Sequence, residues 1–155
     1  MLPRTLKVLP VRPYARSIRE RVFALLRAAG LEVDEVQMVP PGTPDAEALK
    51  RIEQRQPDVL LIPFHAHRDA HGVVVNGLGL LSELGVRPRF ARTPVVMPVS
   101  GMGEAAFELM LSRLEPGSVL AAALERTFLV RPFDLDDVGT PDRLKQHLRR
   151  CVDPQ

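Results

Sequence analysis

Two patterns of apolar residues alternate along this chain. Short, nearly unbroken apolar runs are each followed by a longer stretch in which apolar residues recur at helical spacing. A strand buried on both faces produces the first pattern and an amphipathic helix the second. Their alternation predicts βα units and a mostly parallel sheet covered on both sides. Five such alternations are expected, with strands at residues 6–11, 31–39, 58–64, 94–99 and 127–133. The first helix, over residues 15–29, places Ile18, Val22, Leu25, Leu26 and Ala29 on one face and closes at Gly30. The second, ending near residue 55, has Thr43 as expected N-cap, Pro44 at its first position and Asp45 and Glu47 in its first turn. A short third helix is expected over residues 78–84. A fourth follows the turn Ser100-Gly101-Met102-Gly103 and runs to about residue 115. Residues 119–124 form a further apolar segment. The last helix starts with Thr140 as N-cap and Pro141 behind it, and ends on Arg149 and Arg150.

Composition fits a single domain over residues 1–155, with 45% hydrophobic and 26% charged residues and no repeat or low-complexity tract. With 21 basic against 19 acidic side chains the surface field is modest, and a single tyrosine without tryptophan leaves few platforms for stacking bases. Nucleic acid is therefore not indicated as a partner. Cys151 is the only cysteine, so no internal disulfide forms and a reducing compartment is favoured. No apolar run is long enough to cross a bilayer, and the prolines of the first thirteen residues interrupt any signal-peptide core. A cytoplasmic protein without a membrane partner is expected.

Three phrases carry a resemblance: Pro57-Asp58-Val59-Leu60-Leu61-Ile62, Thr93-Pro94-Val95-Val96-Met97 and Phe128-Leu129-Val130-Arg131-Pro132-Phe133. Together with residues 7–11 and 28–33, in this order and spacing, they resemble the receiver domain of bacterial response regulators. The resemblance implies a flavodoxin-like (βα)5 fold with a five-stranded parallel sheet in the order 2-1-3-4-5. It also implies a role in two-component signal transduction. In that family an aspartate after the third strand accepts a phosphoryl group, two acids after the first strand hold magnesium, and a hydroxyl and a lysine end the fourth and fifth strands. Here Pro63 stands at the acceptor position, Arg12 and Pro13 replace the acids, Val99 takes the hydroxyl position with Ser100 beside it, and Arg131 replaces the lysine. Proline has no oxygen to phosphorylate, and a hard dication that seeks carboxylates does not settle beside a guanidinium. The resemblance is thus to a degenerate, or pseudo-receiver, form. It needs no Mg²⁺ and no cofactor, has no catalytic residue, and acts through a protein partner or as a homodimer.

Two features suggest a ligand-sensing alternative. Ligands of open parallel sheets bind beyond the carboxyl ends of the strands, so Arg12, His65, Ser100 and Arg131 are expected to converge around Pro63 as a basic pocket for an anion. The same arginines could instead be neutralised by Asp134, Asp136 or Asp137. The run His65-Ala66-His67-Arg68-Asp69-Ala70-His71 offers imidazoles at His65, His67 and His71 to zinc or nickel, with residues i and i+2 on one side of an extended segment. By analogy with receivers, the contact face is expected to involve Phe107, Met110, Leu111, Phe133, Leu144 and Leu148. The role of Val73-Val74-Val75 in this polar connection is left open, as an extra strand or a cover for the pocket.

Overall fold

The computed structural model describes residues 4–13, 16–99 and 101–152, the side chains of residues 16, 17 and 101–103 excepted. In chain order it contains β1 (Lys7–Pro10), α1 (Arg16–Ala28), β2 (Glu32–Val33), α2 (Asp45–Arg55), β3 (Val59–Leu61), β4 (His67–Arg68) and β5 (Val74–Val75). Then come α3 (Gly77–Gly85), β6 (Val95–Pro98), α4 (Gly101–Ser112), α5 (Val119–Glu125), β7 (Thr127–Val130), a 3-10 turn (Pro132–Asp136) and α6 (Thr140–Val152). One five-stranded sheet runs β2-β1-β3-β6-β7 with every neighbouring pair parallel. Counting its own strands only, this is the order 2-1-3-4-5.

Successive side chains of a strand point to opposite faces, and both faces here are apolar. Leu9, Leu60, Ile62, Val95 and Met97 face a core completed by Ala48, Leu49 and Ile52 of α2, Leu80, Leu81 and Leu84 of α3 and Ala123 of α5. Val8, Val59, Leu61 and Val96 face the other, completed by Val22, Phe23 and Leu26 of α1 and Leu144 and Leu148 of α6. The unbroken run 59–62 is therefore legible as a central strand that feeds both layers.

Several local expectations change. The second strand contributes only Glu32–Val33, because the Asp34 carboxylate accepts the Gln37 N–H at 3.2 Å and turns the chain away. It returns at Val39 through one bridge to Val11. Thr43 does not cap α2: its hydroxyl donates to the Pro40 carbonyl at 2.8 Å and Pro44 takes the cap position without a side-chain bond. Thr140 likewise lies inside α6, with its hydroxyl donating to the Asp134 carbonyl at 2.7 Å. Ile18 sits at the margin of the α1 stripe and is largely exposed. The connection after β3 folds into an antiparallel hairpin of β4 with β5, so Val74 and Val75 form an extra strand; Val75 is buried, while Val73 and Val74 are exposed. Residues 119–125 become a helix, capped by the Ser118 hydroxyl accepting the Ala121 N–H and packed along α3. That helix fills the layer between β6 and β7, so α4 is additional to the five alternations.

Candidate functional site at the carboxyl end of the sheet

β1 delivers Arg12 into the crevice beyond the strand ends, and the residue adopts φ +52° there. Outside glycine, asparagine and aspartate this left-handed conformation costs energy and is held only where surrounding contacts demand it. The contacts are specific. The Arg12 guanidinium donates from Nε and Nη2 to the Thr43 carbonyl at 2.8 and 2.6 Å, and from Nη2 to Asp45 Oδ1 at 2.6 Å. Its side chain is only 4% exposed, against 36% for Asp45. Asp45 is the first residue of α2, where a carboxylate also complements the helix dipole. The cation is therefore directed sideways into the β2–α2 connection and neutralised there, by a carboxylate not among the three expected. Pro13, next in the chain, is buried.

Pro63 ends the run that follows β3 and is buried. Its carbonyl lies against the first turn of α3: a Cβ placed on Gly77 would stand 2.4 Å from the Pro63 oxygen. Asn76 starts that helix by accepting the Gly79 N–H on Oδ1 at 2.8 Å. Glycine at 77 thus permits the close approach of helix to strand end.

The histidine run is partly gathered. The rings of His65 and His67 stack with centroids 4.8 Å apart and planes inclined by 28°. The hairpin holds this arrangement: Asp69 Oδ1 accepts the N–H groups of His71 and Val73 at 2.8 and 3.0 Å, and the Ala70 N–H donates to the Gly42 carbonyl at 2.7 Å. Burial, and then the charges of His67 and Arg12, push His65 down to about 4. Burial foremost, with Arg12 beside it, also lowers His67. Both imidazoles are thereby held neutral. His71 is exposed at the hairpin turn and does not join them, and among the described residues no three His, Cys, Asp or Glu side chains are placed to hold a metal ion. The three-histidine site is corrected to a stacked pair next to a buried guanidinium.

On the other flank Phe64 bridges to Val99 at the end of β6, and both its ring and that of Phe107 from α4 meet edge to face with centroids 5.0 Å apart. Val99 is buried beneath them. Ser100 lies outside the described residues. Arg131, after β7, pairs through Nη2 with Glu108 Oε1 of α4, and its backbone N–H donates to Asp134 Oδ2 at 2.8 Å. Arg12 and Arg131 therefore do not form an open basic pocket: each engages a different carboxylate, on α2 and on α4. Glu108 and Asp45 were not legible as their partners, because both lie on helices whose rotation about the sheet is set by packing.

The expected contact face divides. Phe107, Leu144 and Leu148 are core residues, Met110 and Leu111 are partly buried against the core, and only Phe133 projects, at 63% exposure. A helical stripe cannot by itself tell which apolar residue faces inward when the helix is amphipathic only weakly, as α4 is, or packs on a sheet, as α6 does. Cys151 is half-buried, Sγ lies 3.6 Å from His147 Nε2, and burial outweighs the nearby charges of Arg126 and Arg150 to raise its thiol pKa, which disfavours the thiolate.

This architecture is that of the receiver domain of response regulators. Among solved structures the chain is similar to the receiver domain of NtrX from Brucella abortus, at 20% identity over 96% of this chain and 99% of that one, with a TM-score of 0.57. It is similar also to the chemotaxis response regulator CheY4 of Vibrio cholerae, at 21% identity over 94% and 99% of the two chains and a TM-score of 0.57. The receiver domain of the sensor histidine kinase PA1611 from Pseudomonas aeruginosa, which carries a magnesium ion in its active-site cleft, matches at 17% identity over 96% and 98% with a TM-score of 0.54. No family model and no curated protein matches the sequence.

Proposed function

We propose that this chain is a signalling module with the receiver fold that works without accepting a phosphoryl group, is not an enzyme, and acts in a bacterial cytoplasm by contact with a protein partner or a second copy of itself. The observation that carries the reading is the Arg12–Asp45 pair. A buried guanidinium, with its charge already spent on the nearest carboxylate, stands where the receiver reaction needs free acids. These residues do not fit a magnesium ion, whose oxygen ligands would have to be supplied against that cation. Pro63, at the acceptor position, offers only a carbonyl pressed against Gly77. The exposed Phe133 and Leu109 are apolar side chains free for contact with another protein.

Incubation with acetyl phosphate and Mg²⁺ is expected to leave the intact mass unchanged, and a pull-down with Phe133→Ser as control is expected to lose the partner captured by the parent chain. A stable phosphoryl adduct on an aspartate would overturn the reading, with Asp69 the first residue to examine.

A further inference from the structure

We propose that the end of the sheet opposite the crevice is a docking surface for the phosphodiester backbone of nucleic acid, built from Arg89, Arg92, Arg126, Arg149 and Arg150. It lies at the amino ends of the strands, so it stands or falls apart from the Arg12 site.

A near-balance of 21 basic and 19 acidic side chains conceals how the charges are paired. Elsewhere on the surface an arginine meets a carboxylate, as Arg21 does on Asp136, Arg27 on Glu35 and Arg51 on Glu47. None of the five arginines named above has an ion-pair partner among the described residues.

Three segments bring them to one end. The connection from α3 to β6 is a succession of tight turns: the Phe90 N–H donates to the Arg87 carbonyl at 3.0 Å and the Thr93 N–H to the Phe90 carbonyl at 3.1 Å, while the Phe90 side chain is buried in the core. The pinned backbone leaves Arg89 and Arg92 exposed. Arg126 follows α5, and its carbonyl accepts the Val95 N–H at 3.3 Å from the start of β6 and His147 Nε2 at 2.9 Å from α6. It therefore stands between that connection and the end of α6, where Arg149 and Arg150 are exposed; the charges of Arg126 and Arg150 both reach Cys151. Arg126 also lines a small cavity with Phe90 and Thr93, and its Nε is buried without an acceptor among the described residues. A side chain whose stem is held in this way loses less freedom on binding than one free in solvent. The carboxylates Glu53 and Asp58 at this end are engaged by Arg87 and Arg4, each at 2.7 Å, which leaves Glu125 exposed beside Arg126. The dipole of α6 accounts for cations in its last turn, but it does not account for Arg89 and Arg92, which lie on a turn beyond α3.

The chemistry selects among polyanions. Every cation of the group is an arginine, whose planar fork donates two hydrogen bonds to one phosphate. A lipid surface would in addition need apolar side chains that enter the acyl boundary; the exposed ones here are the short Val86 and Val152, and Phe90 is buried. With no aromatic ring exposed among these residues, bases are not stacked, so the contact is to the backbone and independent of sequence.

Fluorescence anisotropy of the full chain with a labelled DNA duplex of mixed sequence tests this. Binding is expected to weaken with salt, log K falling against log salt with a slope of about −3.6 to −4.5, as for four or five phosphates neutralised. Arg89→Gln/Arg92→Gln and Arg149→Gln/Arg150→Gln should each lower affinity at least about tenfold and flatten the slope by about 2. Arg21→Gln/Arg51→Gln, which removes the same charge from paired positions, should change affinity less than about twofold. The substituted arginines at positions 89, 92, 149 and 150 are exposed, so urea midpoints should match the parent chain and separate lost binding from lost fold. Phosphatidylserine vesicles and polyglutamate serve as competing probes at the same salt. The proposal is overturned if the duplex does not bind at 50 mM salt, if the control pair weakens binding as much as the two test pairs, or if vesicles or polyglutamate bind more tightly than the duplex.

Discussion

Replacing Asp45 tests the centre of the site, because it strips the partner from a guanidinium that cannot escape to water. For a fully buried pair, leaving one charge uncompensated costs about 3–5 kcal/mol. Two features reduce this here. The Thr43 carbonyl still accepts from Nε and Nη2, and the Asp45 side chain is 36% exposed, so water reaches the vacated position in part. Loss of a carboxylate from the first turn of α2 adds back about 0.3–1 kcal/mol. Asp45→Ala is therefore expected to destabilise by about 2–3 kcal/mol, and Asp45→Asn, which keeps an acceptor for Nη2, by about 1–2 kcal/mol. Asp136→Asn is the control. Its partner Arg21 sits at 2.6 Å, but the two side chains are 79% and 51% exposed, and such surface pairs contribute about 0–1 kcal/mol. Urea unfolding followed by circular dichroism, analysed at constant m, reads all three. A loss below about 0.5 kcal/mol for Asp45→Ala would refute the reasoning, since Arg12 would then have been satisfied without its carboxylate.

Three further outcomes follow from other parts of the fold. His65 is held near 4 when folded and near 6.5 when unfolded, so its unfolded form binds the proton first. Stability it contributes is complete above about pH 7 and is lost as pH falls toward 4; discounted for partial exposure this amounts to about 1–2 kcal/mol, and His65→Gln should flatten the pH dependence of the urea midpoint across that window. Gly77→Ala drives a Cβ into the Pro63 carbonyl and should cost about 2–4 kcal/mol, whereas Gly79→Ala, with nothing nearer than 3.7 Å inside a helix, should stabilise by up to about 1 kcal/mol; equal thermal midpoints for the two would contradict the close approach. Gln56 closes α2 at φ +49°, so Gln56→Gly should raise the melting midpoint, corresponding to about 0.5–1 kcal/mol, and a lowered midpoint would count against strain at that cap.

Most sheet strands were legible as apolar runs, and 59–62 and 95–99 are buried on both faces as such runs require, while the order 2-1-3-4-5 came with the resemblance to receivers. Helix boundaries marked by composition, such as Asp45–Arg55, were legible for the same reason. What failed was decided at long range. Thr43 and Thr140 have the right residue type for caps, but their hydroxyls find carbonyls at Pro40 and Asp134. The basic crevice was visible as two arginines in sequence; their neutralisation was not, since Asp45 lies 33 residues from Arg12 and Glu108 lies 23 residues from Arg131. The stacking of His65 on His67 follows from their spacing on an extended segment, while the exclusion of His71 follows from a hairpin turn that Asp69 and Gly72 impose. Residues 119–124 were legible as apolar but not as the helix α5, because such a run, read alone, suits a strand or a helix equally.

The Arg12–Asp45 contact also constrains how this chain can change over generations. An acidic side chain introduced alone at position 12 would meet the Asp45 carboxylate in a buried setting, and removing Asp45 first would strand the guanidinium. Either order passes through a destabilised ancestor, so the two positions are expected to vary together or not at all. A descendant that exchanged both would still carry Pro63 seated on Gly77, a third position outside that pair. Carboxylates at positions 12 and 63 are thus separated from this crevice by coupled changes, since a single acid at position 12 meets Asp45 and any side chain at 63 must still be compatible with the strand end packed on Gly77.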